Sequence, residues 1–214
     1  MNPFPNDFPI VCVGGSAGGS ASYVQLLKHL PPQIGGALVI VNHLTKTSAT
    51  LHNILPRFTR MPVDLITEGL PIQPDHVFII PANTELYLVE GTFRLKPISK
   101  PKGWPDVITL FLSSLARNWG GKLVAVIVSG LDADGAEALK TIKEVGGITI
   151  AQTPETAEWS DMPESAIRTG YIDFILSVDE VGQKIVQIAH EFPGTKRGKA
   201  LKTMNRENPP APAE

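Results

Sequence analysis

The sequence predicts an α/β fold, in which a mostly parallel, doubly wound sheet is flanked by helices and accompanied by a small antiparallel hairpin. Short, continuous apolar runs recur along the chain, as in strands that are buried on both faces. Stretches with helical periodicity separate most of these runs, which is typical of strand–helix–strand units. We therefore expect parallel strands joined by crossover helices.

The first half of the chain contains four apolar runs and one hairpin. Residues 10–13 and 37–41 are the first two predicted strands, and residues 20–30 between them form a helix that ends before two prolines and two glycines. A helical stretch follows at about 48–58. The remaining predicted strands of this half are residues 63–66, 77–80, 85–89 and 92–97, the last two joined at Glu90 and Gly91.

The second half continues the alternation. We expect strands at residues 123–128, 148–151 and 174–176. The helices are predicted at about 106–119, from Asp134 to the glycines at 146 and 147, at 163–169, and up to about 192. Ser177 and Glu180 have the spacing of a capping box, which predicts the start of this last helix.

The pattern also suggests how the chain is organised. A length of 214 residues suits one well-buried domain. We expect a short N-terminal extension at residues 1–9, one globular domain at residues 10–192, and a disordered tail or linker at residues 193–214, where periodicity is lost and prolines accumulate.

Composition excludes several classes of protein. A net charge of −2 and the lack of a lysine and arginine cluster within the predicted domain argue against a nucleic-acid partner. Cys12 is the single cysteine, so no internal disulfide forms and a reducing compartment is expected. The sequence has no signal-peptide pattern and no apolar run near the ~20 residues that span a bilayer. The cytoplasm is therefore the expected location.

Three polar residues, Ser16, His43 and Asp134, each lie just beyond a predicted strand. Loops from neighbouring strands converge at the carboxyl ends of a parallel sheet, where sites gather. A hydroxyl, an imidazole and a carboxylate at three such ends are the parts of a serine-hydrolase triad. Ser16 also lies in a Gly-x-Ser-x-Gly segment, which matches the pattern of a nucleophile elbow.

Each residue also has a simpler interpretation. Ser16 would hydrogen-bond a helix-end amide within a glycine-rich turn. This turn lacks both the Rossmann glycine spacing and the P-loop lysine. Phosphate binding at such a helix end is still physically sound. His43 would be an ordinary loop histidine. Asp134 would cap the helix that it begins, and Asp132 competes with it for an imidazole N–H.

Several motifs, in the same order along the chain, closely resemble the catalytic domain of the chemotaxis protein-glutamate methylesterases of the CheB type. The resemblance covers about residues 10–190, and its Ser…His…Asp order differs from the Ser…Asp…His order of standard α/β-hydrolases. The matching segments are VGGSAGG (13–19), VNHL (41–44), PDHVFIIP (74–81), SGLDADG (129–135), IAQ (150–152) and MPESAI (162–167).

The resemblance implies a methylesterase-like catalytic domain with Ser16 as nucleophile, His43 as general base and then acid, and Asp134 as the residue that orients the imidazole. It also places an oxyanion-hole amide at Leu131, and the amide of Ala17, directly after the nucleophile, is a second candidate. The expected reaction is hydrolysis of glutamate methyl esters on chemoreceptors or related signalling proteins, with glutamine deamidation as a second activity. It requires no metal or organic cofactor.

Three departures from the family pattern affect regulation and specificity. About nine residues precede the first strand, so we expect no receiver domain in this chain; association or fusion with a receptor methyltransferase would suit the proline-rich tail. The loop that is Arg-Pro-Ser-Val-Asp in many members is WPDVI at residues 104–108. The arginine that commonly follows Met-Pro is Glu164.

Two alternative functions remain open at this point. One is a divergent esterase or amidase with the same triad and another substrate. The other is a non-catalytic module that binds a partner or a nucleotide.

Overall fold

The computed structural model describes residues 8–43, 48–99 and 106–192 of the chain. The strands are β1 (Ile10–Gly15), β2 (Ala37–Asn42), β3 (Val63–Leu65), β4 (Val77–Ile79), β5 (Thr84–Val89), β6 (Thr92–Pro97), β7 (Leu123–Ile127), β8 (Ile148–Gln152) and β9 (Phe174–Leu176). The α-helices are α1 (Gly19–Lys28), α2 (Ser48–Ile54), α3 (Val107–Asn118), α4 (Leu139–Glu144), α5 (Asp161–Arg168) and α6 (Val178–Glu191).

Seven of the strands form one parallel sheet in the order β3-β4-β2-β1-β7-β8-β9, and β5 pairs with β6 as an antiparallel hairpin. From β1 the chain adds β2, β3 and β4 on one side of the sheet, with β4 between β2 and β3, and then crosses to β7, β8 and β9 on the other side. The predicted fold class, a doubly wound parallel sheet with a small hairpin, is confirmed. Its switch in direction lies between β1 and β7, where open α/β sheets form their sites.

Hydrophobic burial on both faces holds the sheet in place. All residues of β1, β2 and β7 are buried, as the continuous apolar runs predict. Alternate side chains of β1 enter different cores: Cys12 packs in the cluster that contains Phe111 of α3, and Val13 in the cluster that contains Leu26 of α1. The central strands are therefore rigid supports for the loops that follow them.

The hairpin turn and the capping box that the sequence predicts are both confirmed. The hairpin turns at Glu90 and Gly91, which both have positive φ angles, 49° and 70°. This is the backbone of a type I′ turn, whose twist matches that of the paired strands. At the start of α6, the side chain of Glu180 accepts a hydrogen bond of 2.8 Å from the backbone amide of Ser177, as a capping box requires.

Two predicted helices differ from the structure. The stretch at 48–58 is α2 followed by a 3-10 turn, Leu55–Arg57, because Pro56 lacks the amide that would continue the α-helix. The helix expected to begin at Asp134 is instead a 3-10 turn, Ala136–Ala138, followed by α4. Gly135 interrupts it with a φ angle of 91°, so the prediction that Asp134 opens this helix is wrong.

The expected domain limits stay a prediction. Residues 1–7 and 193–214, which contain most of the expected extension and the expected tail, lie outside the described residues. Across the ranges that are described, none of the helices combines the length and apolar character of a membrane span.

Candidate active site

The order of the strands brings the three predicted site residues to one edge of the sheet. Strands β2, β1 and β7 are neighbours, and Ser16, His43 and Asp134 lie beyond their carboxyl ends. The last pair between β1 and β2 joins Gly15 with Asn42, so Ser16 and His43 each lie one residue beyond it. On the other side, the Ser16 amide donates a 2.9 Å hydrogen bond to the Ser129 carbonyl, which continues the β1–β7 contact past the strands.

The turn that carries Ser16 is tight and well supported. Gly18 adopts a φ angle of 73° immediately before α1, a conformation that disfavours residues with a side chain. Ser16 is 4% exposed, so it is almost fully buried at this edge of the sheet. The Ser129 hydroxyl donates to the Ala17 carbonyl at 2.8 Å and accepts the Trp159 amide at 3.0 Å, which connects the turn to the loop before α5.

Gln152, at the end of β8, forms a second support beneath this turn. Its side-chain oxygen accepts the backbone amide of Ser129 and the hydroxyl of Ser22, both at 3.1 Å. Its side-chain nitrogen donates to the Thr156 carbonyl at 2.9 Å. Sequence reasoning named Gln152 only as part of the IAQ motif and missed this supporting role. Its place at the end of a predicted strand is the signal that could have indicated it.

His43 and Asp134 form the most direct contact of the site. The ring atom Nε2 lies 2.6 Å from Asp134 Oδ2, and both side chains are almost fully buried. The Asp134 carboxylate also accepts the backbone amides of Ile108 and Thr109, at 2.7 and 2.8 Å. Asp134 therefore caps α3, and the expectation that it caps its own following helix is wrong.

A second carboxylate faces the other ring nitrogen. Asp132 Oδ2 lies 2.8 Å from His43 Nδ1, while Asp132 Oδ1 accepts the backbone amide of Asp134 at 2.9 Å. Burial by itself lowers the pKa of His43. Hydrogen bonds and negative charge from Asp132 and Asp134 outweigh this effect and raise the pKa of His43 to about 9.

The structure brings together two members of the expected row of three. Among the described residues, no hydrogen bond joins Ser16 Oγ to either ring nitrogen of His43, whose nitrogens face Asp132 and Asp134. The serine lies on the adjacent turn, one strand across. From the sequence, Asp132 and Asp134 were alternatives for one contact with the imidazole. In the structure both carboxylates lie close to the His43 ring, each at a different nitrogen.

The two candidate oxyanion amides belong to Ala17, within the Ser16 turn, and to Leu131, in the loop after β7. Neither amide donates a hydrogen bond to another group in the described part of the chain. Leu131 is exposed on its loop, and the carbonyl of Gly130 before it accepts the Met162 amide at 3.0 Å. Both amides thus remain available to a ligand atom.

Two segments near the site differ from the family pattern, at residues 104–108 and at Glu164. Trp104 and Pro105 lie outside the described residues, and Asp106 stands at the N-cap position of α3. Glu164 lies on the exposed side of α5, where it accepts the Ser160 hydroxyl at 2.8 Å and pairs with Arg168. No group of three or more His, Cys, Asp or Glu side chains in the described ranges is arranged to hold a metal ion.

Known proteins match this chain over most of its length. The family model described as CheB methylesterase matches residues 11–185. A protein-glutamate methylesterase/protein-glutamine glutaminase of Anaeromyxobacter dehalogenans is 31% identical over 84% of this chain and 53% of its own length. A putative one of Leptospira interrogans is 29% identical over 85% of this chain and 95% of its own length.

A solved structure shows the same fold. The catalytic domain of the Thermotoga maritima CheB methylesterase has a TM-score of 0.78 and 27% identity, covering 84% of this chain and 97% of that domain. The chain spans about half the length of several curated relatives that it matches. From the family match and these relatives, the chain belongs to the CheB methylesterase family.

Proposed function

We propose that the chain is a serine hydrolase that removes methyl esters from glutamate side chains of chemoreceptors or related signalling proteins, and that deamidates glutamine at such sites. The observation that carries this proposal is the buried His43–Asp134 pair, 2.6 Å apart, at the strand end next to the Ser16 turn. Membership of the CheB methylesterase family supports the substrate class.

In the proposed acylation step, His43 takes the proton of Ser16 as Oγ attacks the carbonyl carbon of the ester. The carbonyl π electrons move to oxygen, and the Ala17 and Leu131 amides stabilise that oxyanion by ~3 kcal/mol each. When the tetrahedral intermediate collapses, the ester C–O bond breaks and His43 returns the proton, so that methanol leaves. Asp134 holds the ring and stabilises its charged form.

Deacylation repeats these steps with water as the nucleophile. His43 takes a proton from water, the Ser16 ester bond breaks, and the products are a free glutamate side chain and the regenerated serine. With glutamine as substrate the first leaving group is ammonia instead of methanol, and the acyl-enzyme is the same. One set of residues therefore serves both proposed activities.

The proposed partners are a methylated chemoreceptor or receptor-like protein and, through association or fusion, a receptor methyltransferase. Support for the second partner comes from sequence alone, in the proline-rich residues 208–212, whose composition is typical of linkers. We place the activity in the cytoplasm, on the basis of the single cysteine, Cys12, which is a free thiol. Copurification with a methyltransferase from the source cells tests the second partner.

The experiment for the main proposal measures methanol release from a methylated receptor fragment. We expect release by the wild type and a loss of at least about 10³-fold in Ser16→Ala. Ser113→Ala is the matched control, since Ser113 lines a cleft between α3 and the hairpin. Release unchanged in Ser16→Ala would overturn the proposal. Hydrolysis of small esters without action on the receptor fragment would assign the same site to a different substrate.

A further inference from the structure

The His43 ring lies between two carboxylates. Nε2 is 2.6 Å from Asp134 Oδ2, and Nδ1 is 2.8 Å from Asp132 Oδ2. The side chains are 2% exposed for His43, 3% for Asp134 and 11% for Asp132, so water screens these charges weakly. A triad needs only one such carboxylate, because the second ring nitrogen must face the nucleophile.

The two carboxylates differ in how firmly they are held. Asp134 accepts two backbone amides from the first turn of α3, which fixes its position. Asp132 has one amide partner, the backbone of Asp134, and its turn is flanked by exposed residues, Leu131 and Ala133. Asp134 therefore keeps Nε2, and Nδ1 is the ring nitrogen that remains for Ser16.

Asp132 occupies the side of the ring that the nucleophile requires. We propose that Asp132 is a positioning residue that competes with Ser16 for His43 Nδ1, so that its carboxylate must leave this nitrogen before His43 acts as a base. This inference rests on the hydrolase function proposed above. It deepens that proposal, because it identifies what holds the site in a resting arrangement.

The charges around the ring favour the same resting state. A cleft of about 210 Å³ that Asp132 and Asp134 share is also lined by Asp106 and Glu137, and by no cationic residue among those described. The Cys12 thiol, in β1 of the sheet, also interacts with the charge of Asp134. Burial is the larger cause and the Asp134 charge the smaller cause that raise the pKa of Cys12, so this thiol stays neutral. A ring between two carboxylates is stabilised with protons on both nitrogens.

The protonation state follows from these contacts. With the pKa of His43 raised to about 9, the charged form of the ring predominates at pH 7. A doubly protonated ring donates a hydrogen bond to Asp134, is held by the charge of Asp132 at 2.8 Å, and has no lone pair for the Ser16 proton. Release of Asp132 from Nδ1 removes one of the two contacts that stabilise this form, and it opens that nitrogen to the serine.

The test uses Asp132→Asn, which removes the charge and retains an oxygen for the Asp134 amide. The first readout is an NMR titration of the His43 ring in a Ser16→Ala background, which does not depend on activity. We expect Asp132→Asn to lower the pKa of His43 by at least one unit. Glu137→Gln, a change of equal charge in the same cleft, is the control and is expected to shift that pKa much less.

The second readout is the rate at which a fluorophosphonate labels Ser16, measured against pH. We expect Asp132→Asn to move the acidic limb of this profile to lower pH and to increase labelling at pH 7 about tenfold. Asp132→Ser, which also retains an acceptor for the turn, is the second variant if Asp132→Asn folds poorly.

The outcomes are distinct. An unchanged pKa of His43 in both Asp132 variants, or slower labelling at pH 7 with an unmoved acidic limb, would overturn the assignment of Asp132. A lowered pKa of His43 with no labelling in any variant at any pH would contradict the hydrolase proposal, while the contact of Asp132 with the ring would stand.

Discussion

Oδ2 of Asp134 accepts the backbone amide of Ile108 at 2.7 Å, and the same oxygen lies 2.6 Å from His43 Nε2. One atom thus joins the first turn of α3 to the ring at the end of β2. The proposed catalytic pair and the start of a helix on the face of the sheet form one structural unit. A change at Asp134 should therefore affect folding and chemistry together.

We predict that Asp134→Ala lowers the free energy of unfolding by about 2–4 kcal/mol, because two α3 amides and a buried ring lose their acceptor. Urea denaturation measures this. Glu137→Ala is the control, since Glu137 is an exposed carboxylate in the same cleft as Asp134. Equal losses in the two variants would show that the carboxylate of Asp134 does not cap the helix.

Stability should fall at alkaline pH. The pKa of His43 is raised from its ordinary value of 6.5 to about 9, so the charged ring stabilises the fold fully below pH 6.5. This contribution, about 3 kcal/mol, is lost as the pH rises through 9. Urea denaturation at a series of pH values checks it against His43→Gln, whose stability should change less over this range. The same slope in both proteins would contradict the pKa of His43.

Gly130→Ala should disturb the site through Met162. A Cβ at position 130 would overlap Met162 Sδ and approach Ser16 Cβ to 3.1 Å. We expect a loss of about 1–3 kcal/mol in stability together with slower labelling of Ser16. The double variant with Met162→Ala should recover part of the loss relative to the sum of the single changes. Strictly additive effects would mean that the two residues do not constrain each other.

Gln152→Ala should weaken the support of the nucleophile turn. The change leaves the Ser129 amide and the Ser22 hydroxyl without the oxygen that both donate to, at a cost of about 1–3 kcal/mol. Labelling of Ser16 should slow without a shift in its pH profile, because Gln152 does not contact His43. Gln183→Ala, the same change at an exposed position of α6, is a suitable control. A moved pH profile would show that Gln152 acts on the ring instead.

The Cys12 thiol should resist modification in the native state. It is buried in β1, and burial followed by the charge of Asp134 raises its pKa, so the reactive thiolate is rare. We expect a disulfide reagent to modify it at least about 10³ times more slowly in buffer than in denaturing urea. Rapid modification of the folded protein would contradict the packing of β1.

Sequence patterns predicted most of the fold because local physics decides it. The apolar runs of β1, β2 and β7 have one stable outcome, burial on both faces, and their ends place Ser16, His43 and Asp134 at one edge. The capping box at Ser177 is local as well. These features need only residues that are close in the chain.

The details of the site depend on residues that are distant in the chain. Asp134 caps α3, which begins 27 positions earlier in the chain. It does not cap the 3-10 turn that follows it, because Gly135 stands at the N-cap position of that turn. The contact of Asp132 with Nδ1 also follows from tertiary placement, since sequence spacing shows two carboxylates and one ring without assigning a nitrogen to each. Sequence reasoning therefore proposed Ser16, His43 and Asp134, whose catalytic roles stay a prediction, and it did not show that both carboxylates contact the His43 ring.

The central claim is that Ser16 is a nucleophile activated by His43. Peptide mapping of fluorophosphonate-treated protein by mass spectrometry tests it most directly. The account predicts one adduct, on Ser16, that disappears in His43→Gln and persists in Ser113→Ala. A folded protein that releases methanol from a methylated receptor but carries no adduct at Ser16, or an adduct that does not require His43, would contradict it.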